Sequence, residues 1–365
     1  MTASAPSFAQ SVWLVTEREI GSKLRSKAFL ISTGILFVIA LASVVWGGIS
    51  AGADNRIPVA VTPQTSSAVT PYADALEVTE ATDADAARDL VRAGDVDAAL
   101  VPSDAAGDTF GFTVVADEAP PSGLLQLLSI TPTVELLDTG GVDWALRYFV
   151  ALGFGLIFFM AALTFGSTIA QSVVEEKQTR VVELLISAIP TRALLAGKVL
   201  GNTVLAMGQI IGLAAIAIVG LTVTDQGALL TGLGAPLVWF AVFFLFGFIL
   251  LASLFAAAAA MVSRQEDIGS TTTPLTFLVM APYFLVIFFN DNPVVMTVMS
   301  YVPFSAPVGM PVRIFLGEAQ WWEPLLSLAI LLATCAVAIA VGAKIYENSL
   351  LRMGARVKLA EALKA

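Results

Sequence analysis

One short stretch holds the residues whose types and spacing could do chemistry. Residues 173–192 read VVEEKQTRVVELLISAIPTR and lie between two long apolar segments. The stretch could supply a catalytic carboxylate pair, a solvated loop or a docking surface. A catalytic pair needs a cavity and a raised pKa, whereas Glu175 and Glu176 are adjacent and point apart on a helix. A solvated loop would not need the apolar run VVELLI, so the pattern favours a surface helix, either a membrane connector or a docking element.

The same stretch is predicted to form one amphipathic helix that ends at a proline. Glu176 and Arg180 are four residues apart, and Arg180 and Glu183 are three apart, so these side chains could pair along one flank. Val181 and Leu185 fall on a shared apolar face. A charged flank beside an apolar face suits a helix that docks a soluble partner.

Composition excludes several kinds of enzyme site. The chain has no histidine and one cysteine, Cys335, so it lacks the commonest general base and metal ligand. A phosphate-binding loop needs G-x-x-x-x-G-K-[ST]. At the single Gly-Lys pair, Gly197-Lys198, Arg192 replaces the first glycine and Val199 the final hydroxyl residue. We predict that the chain is not an enzyme, binds no cofactor or metal itself, and does not contact nucleic acid.

Hydrophobicity indicates that the lipid bilayer surrounds most of the chain. Of its 365 residues, 57% are hydrophobic and 13% charged, whereas soluble domains carry about 25% charge. A spanning helix needs about 20 apolar residues, and six stretches qualify that carry charges at their ends at most. The predicted spans are residues 28–50, 146–170, 198–223, 236–262, 268–290 and 324–345, and residues 227–234 are predicted to form a loop before the fourth span.

Lysine and arginine positions predict the orientation. With six spans, fourteen of the 19 basic residues fall on the side of the two termini and five on the other. By the positive-inside rule the termini are cytoplasmic, in a multi-pass plasma-membrane protein. Residues 1–27, 171–197 and 346–365 are then inside, and residues 51–145 and 291–323 outside. The predicted fold class is an α-helical polytopic membrane protein with a small extracytoplasmic α/β domain between helices 1 and 2.

The outer segment is strongly acidic and reads as a small α/β domain. Residues 54–143 hold 16 acidic and 3 basic residues. Strands are predicted at residues 57–62, 96–102 and 109–117, and a helix at residues 83–95 with Asp83 as its N-cap. A further apolar helix is predicted at residues 122–137. The carboxylates lack the spacing of a calcium-binding EF-hand, which favours a solvated acidic face.

Polar side chains inside the predicted spans are few, and nearly all of them are uncharged. An ion-driven transporter would need ionisable groups within the bilayer, and the predicted spans hold almost none. Two stripes of polar residues could be helix–helix contacts or could line a substrate path. They are Thr164, Thr168 and Gln171 on the second span, and Lys198, Asn202 and Gln209 on the third.

Two further segments have recognisable physical features. Pro303, Pro307 and Pro311 cannot share one regular helix, which predicts a short re-entrant or surface hairpin before the last span. Arg313 in that segment could close an exit path, bind a lipid phosphate, or extend to the outer headgroups. Residues 8–29 mix apolar and basic side chains and are predicted to form an interfacial helix.

The chain resembles the permease subunit of type-2 ATP-binding-cassette (ABC) exporters, in particular the sodium-exporter-like group. The run EEKQTRVVELLISAIP is similar to that family's E-E-K-x-x-R-x-x-E-x-L motif. The run SYVPFSAPVGMPVRIFLGEAQWWE at residues 300–323 is similar to the family's proline-rich external segment. The order of an amphipathic segment, one span, an outer domain and five further spans extends the resemblance over the whole chain.

The resemblance implies a coupling helix at residues 175–185 that docks in a groove of a cytoplasmic ABC ATPase, and a smaller contact at residues 263–267. ATP and magnesium would bind in that partner, and a second permease half, identical or different, would complete the exporter. The cargo stays open between sodium and an amphipathic drug, lipid or peptide. The alternatives are a membrane-anchored scaffold or sensor with an outer ligand-binding domain and, less favoured, an intramembrane enzyme. The implied docking residues are Glu175, Glu176, Lys177, Arg180, Glu183, Leu184, Arg264 and Glu266.

Overall fold

The computed structural model describes residues 6–52, 56–103, 111–117, 122–128, 144–224, 226–350, 352 and 357–364. The chain divides into a helical unit, Met1–Ile49 with Gly140–Ala365, and a smaller unit, Ser50–Thr139. Among the described residues, six helices are long and apolar enough to cross a membrane, which confirms the predicted number of spans.

The helices are named here in chain order. They are α1 (Phe8–Arg25), α2 (Lys27–Gly52), α3 (Ser66–Val69), α4 (Ala84–Ala93), α5 (Ser122–Leu128), α6 (Trp144–Gln178), α7 (Val181–Ala188), α8 (Thr191–Val223), α9 (Gly227–Ala260), α10 (Ile268–Phe288), α11 (Pro293–Tyr301), α12 (Ala306–Phe315), α13 (Glu323–Leu350) and α14 (Leu359–Lys364).

The helix α9 lies at the centre of the helical unit and packs against α6, α8, α12 and α13. Aromatic rings join α9 to α6: Phe158 meets Phe244 edge-on with ring centroids 5.8 Å apart, and Phe165 meets Phe248 in the same way at 5.8 Å. Phe244 and Phe248 stack on each other along α9. Edge-to-face aromatic pairs stabilise beyond their buried area, so this row fixes the register of the two longest helices.

The predicted loop at residues 227–234 is wrong, because α9 begins at Gly227 and continues through Pro236. A proline inside a helix removes one hydrogen-bond donor. In an apolar surrounding, unpaired backbone groups of a loop would cost several kcal/mol each, so the chain stays helical across glycines and a proline that would end a helix in water.

The predicted single helix through residues 175–185 is also wrong. The helix α6 ends at Gln178, and Arg180 adopts a left-handed backbone with φ of 57° before α7 begins. Glu176 pairs with Lys198 and Arg18 rather than with Arg180. Because α7 starts after a left-handed residue, it follows a direction separate from that of α6.

The proline-rich segment forms a helical hairpin of α11 and α12. Pro303 lies between the two helices, whereas Pro307 stands in the first turn of α12 and Pro311 inside it. A first-turn proline such as Pro307 loses no intrahelical hydrogen bond, so Pro311 is the one proline of α12 that removes an intrahelical donor. The residues from Ala306 to Arg313 are all buried, so α12 is a core element of the bundle rather than a surface one.

The smaller unit is an α/β fold. Its described strands are β1 (Ile57–Val61), β2 (Leu76–Glu80), β3 (Ala98–Pro102) and β4 (Phe112–Val115), in the sheet order β2-β1-β3-β4. The strand β1 runs parallel to β2 and β3, and β4 is antiparallel to β3. The strands predicted at residues 57–62 and 96–102 are thereby confirmed. The strand predicted at residues 109–117 is present at β4, while its residues 109 and 110 lie outside the described residues, and β2 was not predicted.

The acidic side chains at the start of α4 and along it bind groups of the same helix. Asp83 accepts hydrogen bonds from two backbone amides and caps α4, as predicted. Asp85 pairs with Arg88 and Asp89 with Arg92, each at 2.9 Å. These contacts fit the solvated acidic face. Of the apolar helix predicted at residues 122–137, the structure describes α5, and the remainder lies outside the described residues.

The helix α1 packs closely along α8. Ser7 caps its first turn in a capping box, and its buried face comprises Ser11, Val15, Thr16 and Glu19. Opposite these residues α8 presents glycines, of which Gly197 is one, so the two backbones approach each other. The Thr16 hydroxyl donates to the Gly197 carbonyl at 3.3 Å. The predicted amphipathic helix is present, and its polar face is turned partly into the protein.

We expect Gly197→Ala to loosen α1 from α8, because the added Cβ would lie 2.5 Å from the Val15 Cβ. Overpacking of this kind costs about 1–3 kcal/mol. Maleimide labelling of Ser11→Cys, a buried position on α1, in a Cys335→Ser background measures the opening. Gly208→Ala is the control, since a Cβ there meets nothing within 4 Å. Equal labelling of the two variants would contradict this packing.

Candidate functional site

A buried lysine joins three helices near the ends of α6 and α8. The Lys198 side chain is 1% exposed. Its ammonium group lies 2.8 Å from Glu19 Oε1 of α1, 3.0 Å from Glu176 Oε1 of α6, and 2.7 Å from the Ser172 hydroxyl. Removing a charge from water is expensive unless it is paired and hydrogen-bonded. The carboxylates therefore hold α1 and α6 against α8.

Arg18 completes this group. Its guanidinium donates to Glu19 Oε1 at 3.1 Å and also to Glu176 Oε1. Two cations thus face two carboxylates, and the group is electrically balanced. We call Arg18, Glu19, Glu176 and Lys198 the ion cluster. Each charge of the cluster has an opposite charge as its neighbour, which offsets the cost of burial.

The pKa of Glu19 follows from this arrangement. Burial by itself raises the pKa of the carboxyl, but the positive charges and hydrogen bonds of Lys198 and Arg18 outweigh burial, and the net pKa lies below the ordinary value. For Arg18, burial lowers the pKa, and the two carboxylates raise it above the ordinary value. Both groups are therefore charged at neutral pH.

The next motif residue, Lys177, ties α6 to two other helices. Its side chain is fully buried, and its ammonium group donates to the carbonyl oxygens of Ala260 at 2.8 Å and Ser349 at 2.9 Å. Those carbonyls belong to the last turns of α9 and α13. Carbonyl oxygens at helix C-termini carry partial negative charge and stabilise a nearby cation. Lys177 therefore anchors the end of α6 in the bundle.

Other residues of the motif point outward. Leu184 is 74% exposed, and Glu175, Arg180, Val181 and Glu183 are exposed as well. These five residues are called the α7 surface. The buried Val182 fixes the opposite side of α7. An exposed leucine with charged neighbours on a short, fixed helix is a shape that can dock in a groove of another protein.

The second stretch implied as a contact also lies at the surface. Residues 263–267 form one turn between α9 and α10, in which Arg264 and Glu266 are exposed and pair with each other at 3.2 Å. Such an exposed pair contributes little to stability. These two side chains are thus free to exchange partners at little cost.

The predicted polar stripes are placed differently from each other. Thr164 and Gln171 are exposed on α6 and Thr168 donates to the Thr164 carbonyl. Asn202 is buried on α8, donates to the Lys198 carbonyl at 2.9 Å, and has no partner for Oδ1 among the described residues. Gln209 is half-buried. The two stripes meet at Lys198, whose ammonium group contacts Ser172 beside Gln171, whereas Asn202 bonds within its own helix.

A polar cavity of about 350 Å³ adjoins the ion cluster. Thr168 and Gln171 line it together with Lys23, Glu175 and residues of the cluster. The pKa of Lys23 lies below its ordinary value, first because of partial burial. Thr168 and Gln171 of the α6 stripe thus face the ion cluster, so polar side chains of the same chain surround them.

Arg313 is buried, so the expectation that it extends to the outer headgroups is wrong. It is 5% exposed and lies 2.8 Å from the Glu323 carboxylate. It also donates to the Ser300 hydroxyl at 2.9 Å and to the Glu318 carbonyl at 3.1 Å. The arginine therefore joins α12 to α11 and α13, as a helix-interface residue.

Sequence reasoning missed Glu19 and Glu323 as partners of buried cations. Glu19 follows Val15 by four residues and Glu323 opens the last span. The one available signal for Glu19 was this spacing, which places a carboxylate on the apolar face of a helix.

Comparison with known proteins gives the following matches. A family model described as "ABC-2 family transporter protein" matches residues 27–344. The chain is 32% identical over 210 residues to "Uncharacterized protein YhaP" of Bacillus subtilis (strain 168), covering 54% of this chain and 50% of that protein. It is 24% identical over 208 residues to "Uncharacterized protein MJ1024" of Methanocaldococcus jannaschii, covering 56% and 51%. The chain thus spans about half the length of these relatives, and no solved structure matches it.

We expect Lys198→Met to destabilise the protein by about 3–5 kcal/mol, because two buried carboxylates lose the more deeply buried of the two cations that they share. Thermal unfolding of the purified protein in detergent measures the change. Lys27→Met, at an exposed position at the start of α2, is the matched control and should have little effect. Adding Glu19→Gln and Glu176→Gln to Lys198→Met removes the two carboxylate charges and should recover stability. A further loss of stability would show that the buried carboxylate charges do not cause the effect of Lys198→Met.

We expect the stability contributed by Glu19 to disappear in acid. Its pKa is lowered in the folded state, so the stabilisation is complete above about pH 4.3, the ordinary value of a glutamate. It is lost as the pH falls through the lower pKa of the folded state. Melting temperature against pH measures this, and Glu19→Gln should flatten the acid limb. Glu361→Gln, at an exposed site of α14, should leave the limb unchanged.

Proposed function

Since the chain belongs to the ABC-2 transporter family, we propose that it is the permease subunit of an exporter that a separate cytoplasmic ABC ATPase drives. The six apolar helices support the membrane role. Both termini face the cytoplasm in this proposal, and the α/β unit lies outside the plasma membrane. A second permease half completes the pathway, and ATP with magnesium binds in the ATPase.

The observation that carries the proposal is the α7 surface on a firmly anchored base. An ATPase can move the helices of a permease only through an element that is rigidly attached to them. Lys177 anchors the end of α6 to α9 and α13, and the ion cluster anchors it to α1 and α8. The helix α7 follows that anchored end after two residues. A force applied at Leu184 would therefore act on several helices together.

The motif then has two functions. Glu175, Arg180, Glu183 and Leu184 face outward and dock the ATPase. Glu176 and Lys177, which the family resemblance also assigns to docking, hold the docking helix from inside. The exposed pair Arg264 and Glu266 forms the second contact. This division explains why one short stretch contains both exposed and buried charges.

The cargo in this proposal is an amphipathic molecule rather than sodium. The predicted polar stripes meet at the ion cluster, where Lys198 and Arg18 already pair with the carboxylates. Beyond it, Thr164 is exposed on α6 whereas Asn202 bonds within its own helix. A sodium site needs several oxygen ligands close together. An apolar bundle with isolated hydroxyl and amide groups offers better complementarity to a drug, lipid or peptide.

We expect Leu184→Asp and Glu183→Arg each to reduce recovery of the partner ATPase by about tenfold or more, because a central exposed leucine and its charged neighbour make an interface hot spot. The tagged chain is co-expressed with a cytoplasmic ABC ATPase of its own organism and purified in detergent. Bound ATPase and ATP hydrolysis are measured in the eluate.

Val294→Asp is the matched control, an apolar residue of α11 that is 70% exposed and lies away from α7. Both sets of variants should unfold at the wild-type temperature, since the changed side chains are exposed. Full recovery of active ATPase with Leu184→Asp and Glu183→Arg would refute the docking role of α7. Glu176→Arg is unsuitable for this test, because it would disrupt the ion cluster.

A further inference from the structure

A larger cavity lies apart from the ion cluster, between α8, α9 and α13, with a volume of about 850 Å³. Its walls are mainly apolar and include Leu195 and Val199 of α8, Ile249 of α9, and Ile339 and Ala343 of α13. Ile339 is exposed, so the cavity opens to the surroundings of the bundle. We call it the α8–α13 crevice. Its volume lies in the range of about 300–1,000 Å³ that ligand sites occupy.

One end of the crevice is charged. Arg192 donates to both carboxylate oxygens of Glu347, at 2.8 and 3.2 Å, which neutralises that pair. Lys344 lies on the same rim, is exposed, and has no ion pair among the described residues. The rim therefore has a net positive charge from Lys344. The amphipathic helix α1 contributes Phe8 to the same rim.

We propose that the α8–α13 crevice binds one anionic phospholipid, with an acyl chain between α8 and α13 and the phosphate at Lys344. The crevice is formed by helices that cross the membrane, so the molecules that reach its mouth are lipids. Acyl chains match its apolar walls, and each buried methylene group adds to the affinity. A phosphate matches an ammonium group that has no carboxylate partner.

The location of the charged rim agrees with an anionic rather than a zwitterionic lipid. Lys344 lies in α13 together with Ser349, the partner of Lys177, and Arg192 lies in α8 together with Lys198. Both residues are therefore at the end of the bundle that holds α1. In the orientation proposed above, this end meets the cytoplasmic leaflet. Anionic lipids of that leaflet attract basic side chains by about 1 kcal/mol per residue, roughly a fivefold preference.

The test is photo-cross-linking in nanodiscs of phosphatidylcholine that hold the full chain. The probe is phosphatidylglycerol with a diazirine on its acyl chain, and phosphatidylcholine with the same chain is the headgroup control. Mass spectrometry locates the cross-linked peptides. We expect cross-links to concentrate in residues 191–200 and 339–348, with a higher yield for phosphatidylglycerol. Lys344→Gln should reduce that preference about fivefold, whereas Lys27→Gln, at an exposed lysine that starts α2, should not.

A second pair of variants tests the apolar part. Ala340→Trp fills the crevice and should lower the cross-link yield about tenfold. Val341→Trp, on the same turn of α13 but not lining the crevice, should leave it unchanged. Uniform labelling along α13, equal yields for the two headgroups, or insensitivity to both Lys344→Gln and Ala340→Trp would overturn the proposal. The proposal would also be overturned if no lipid cross-linked in the crevice and Ala340→Trp changed the mass of the oligomer. That result would indicate that a second copy of the chain occupies the crevice. Binding is measured without ATPase, so this proposal and the docking of α7 can fail independently.

Discussion

The helical unit depends on a positive charge that has been removed from water. Lys198 lies near the start of α8 with its side chain buried, and its counter-charges come from α1 and α6. The charge of this buried lysine is balanced by carboxylates only if α1 and α6 stay in contact with α8. The requirement explains why α1, an amphipathic helix that could lie on a membrane surface, packs closely on α8 instead. Lys177 imposes a similar requirement on α9 and α13, through carbonyl oxygens.

Two adjacent residues of one motif thereby secure five helices. Glu176 faces α1 and α8, and Lys177 faces α9 and α13, because successive residues of a helix point in different directions. The exposed residues that follow sit on α7, after the backbone turns at Arg180. The opposite part of the helical unit has its own buried arginine, Arg313, whose contacts join α11, α12 and α13. Buried cations are thus the recurrent device by which this apolar bundle specifies which helices meet.

The sequence predicted what depends on local composition and missed what depends on distant partners. Six spans were evident from long apolar runs, and the N-cap Asp83 from its position before an amphipathic helix. The strand β2 was missed because its five residues, LEVTE, are few and mostly polar, with two glutamates and a threonine, so its apolar signal is weak. The turn at Arg180 was missed because the spacing of its neighbours also fits a continuous helix. Glu19 was missed because its partner Lys198 lies 179 residues further along the chain.

That separation also has a consequence for how the protein is made. A ribosome adds about 5–20 residues per second, so Glu19 leaves it roughly ten to forty seconds before Lys198 is synthesised. During that interval α1 has no buried cation to pair with, and the α/β unit and α6 are made while it waits. The final position of α1 is therefore reached only after α8 has entered the membrane. The first described helix is therefore held only once α8 has been made, and the contact of Lys177 with Ser349 has to wait still longer, until α13 has been made.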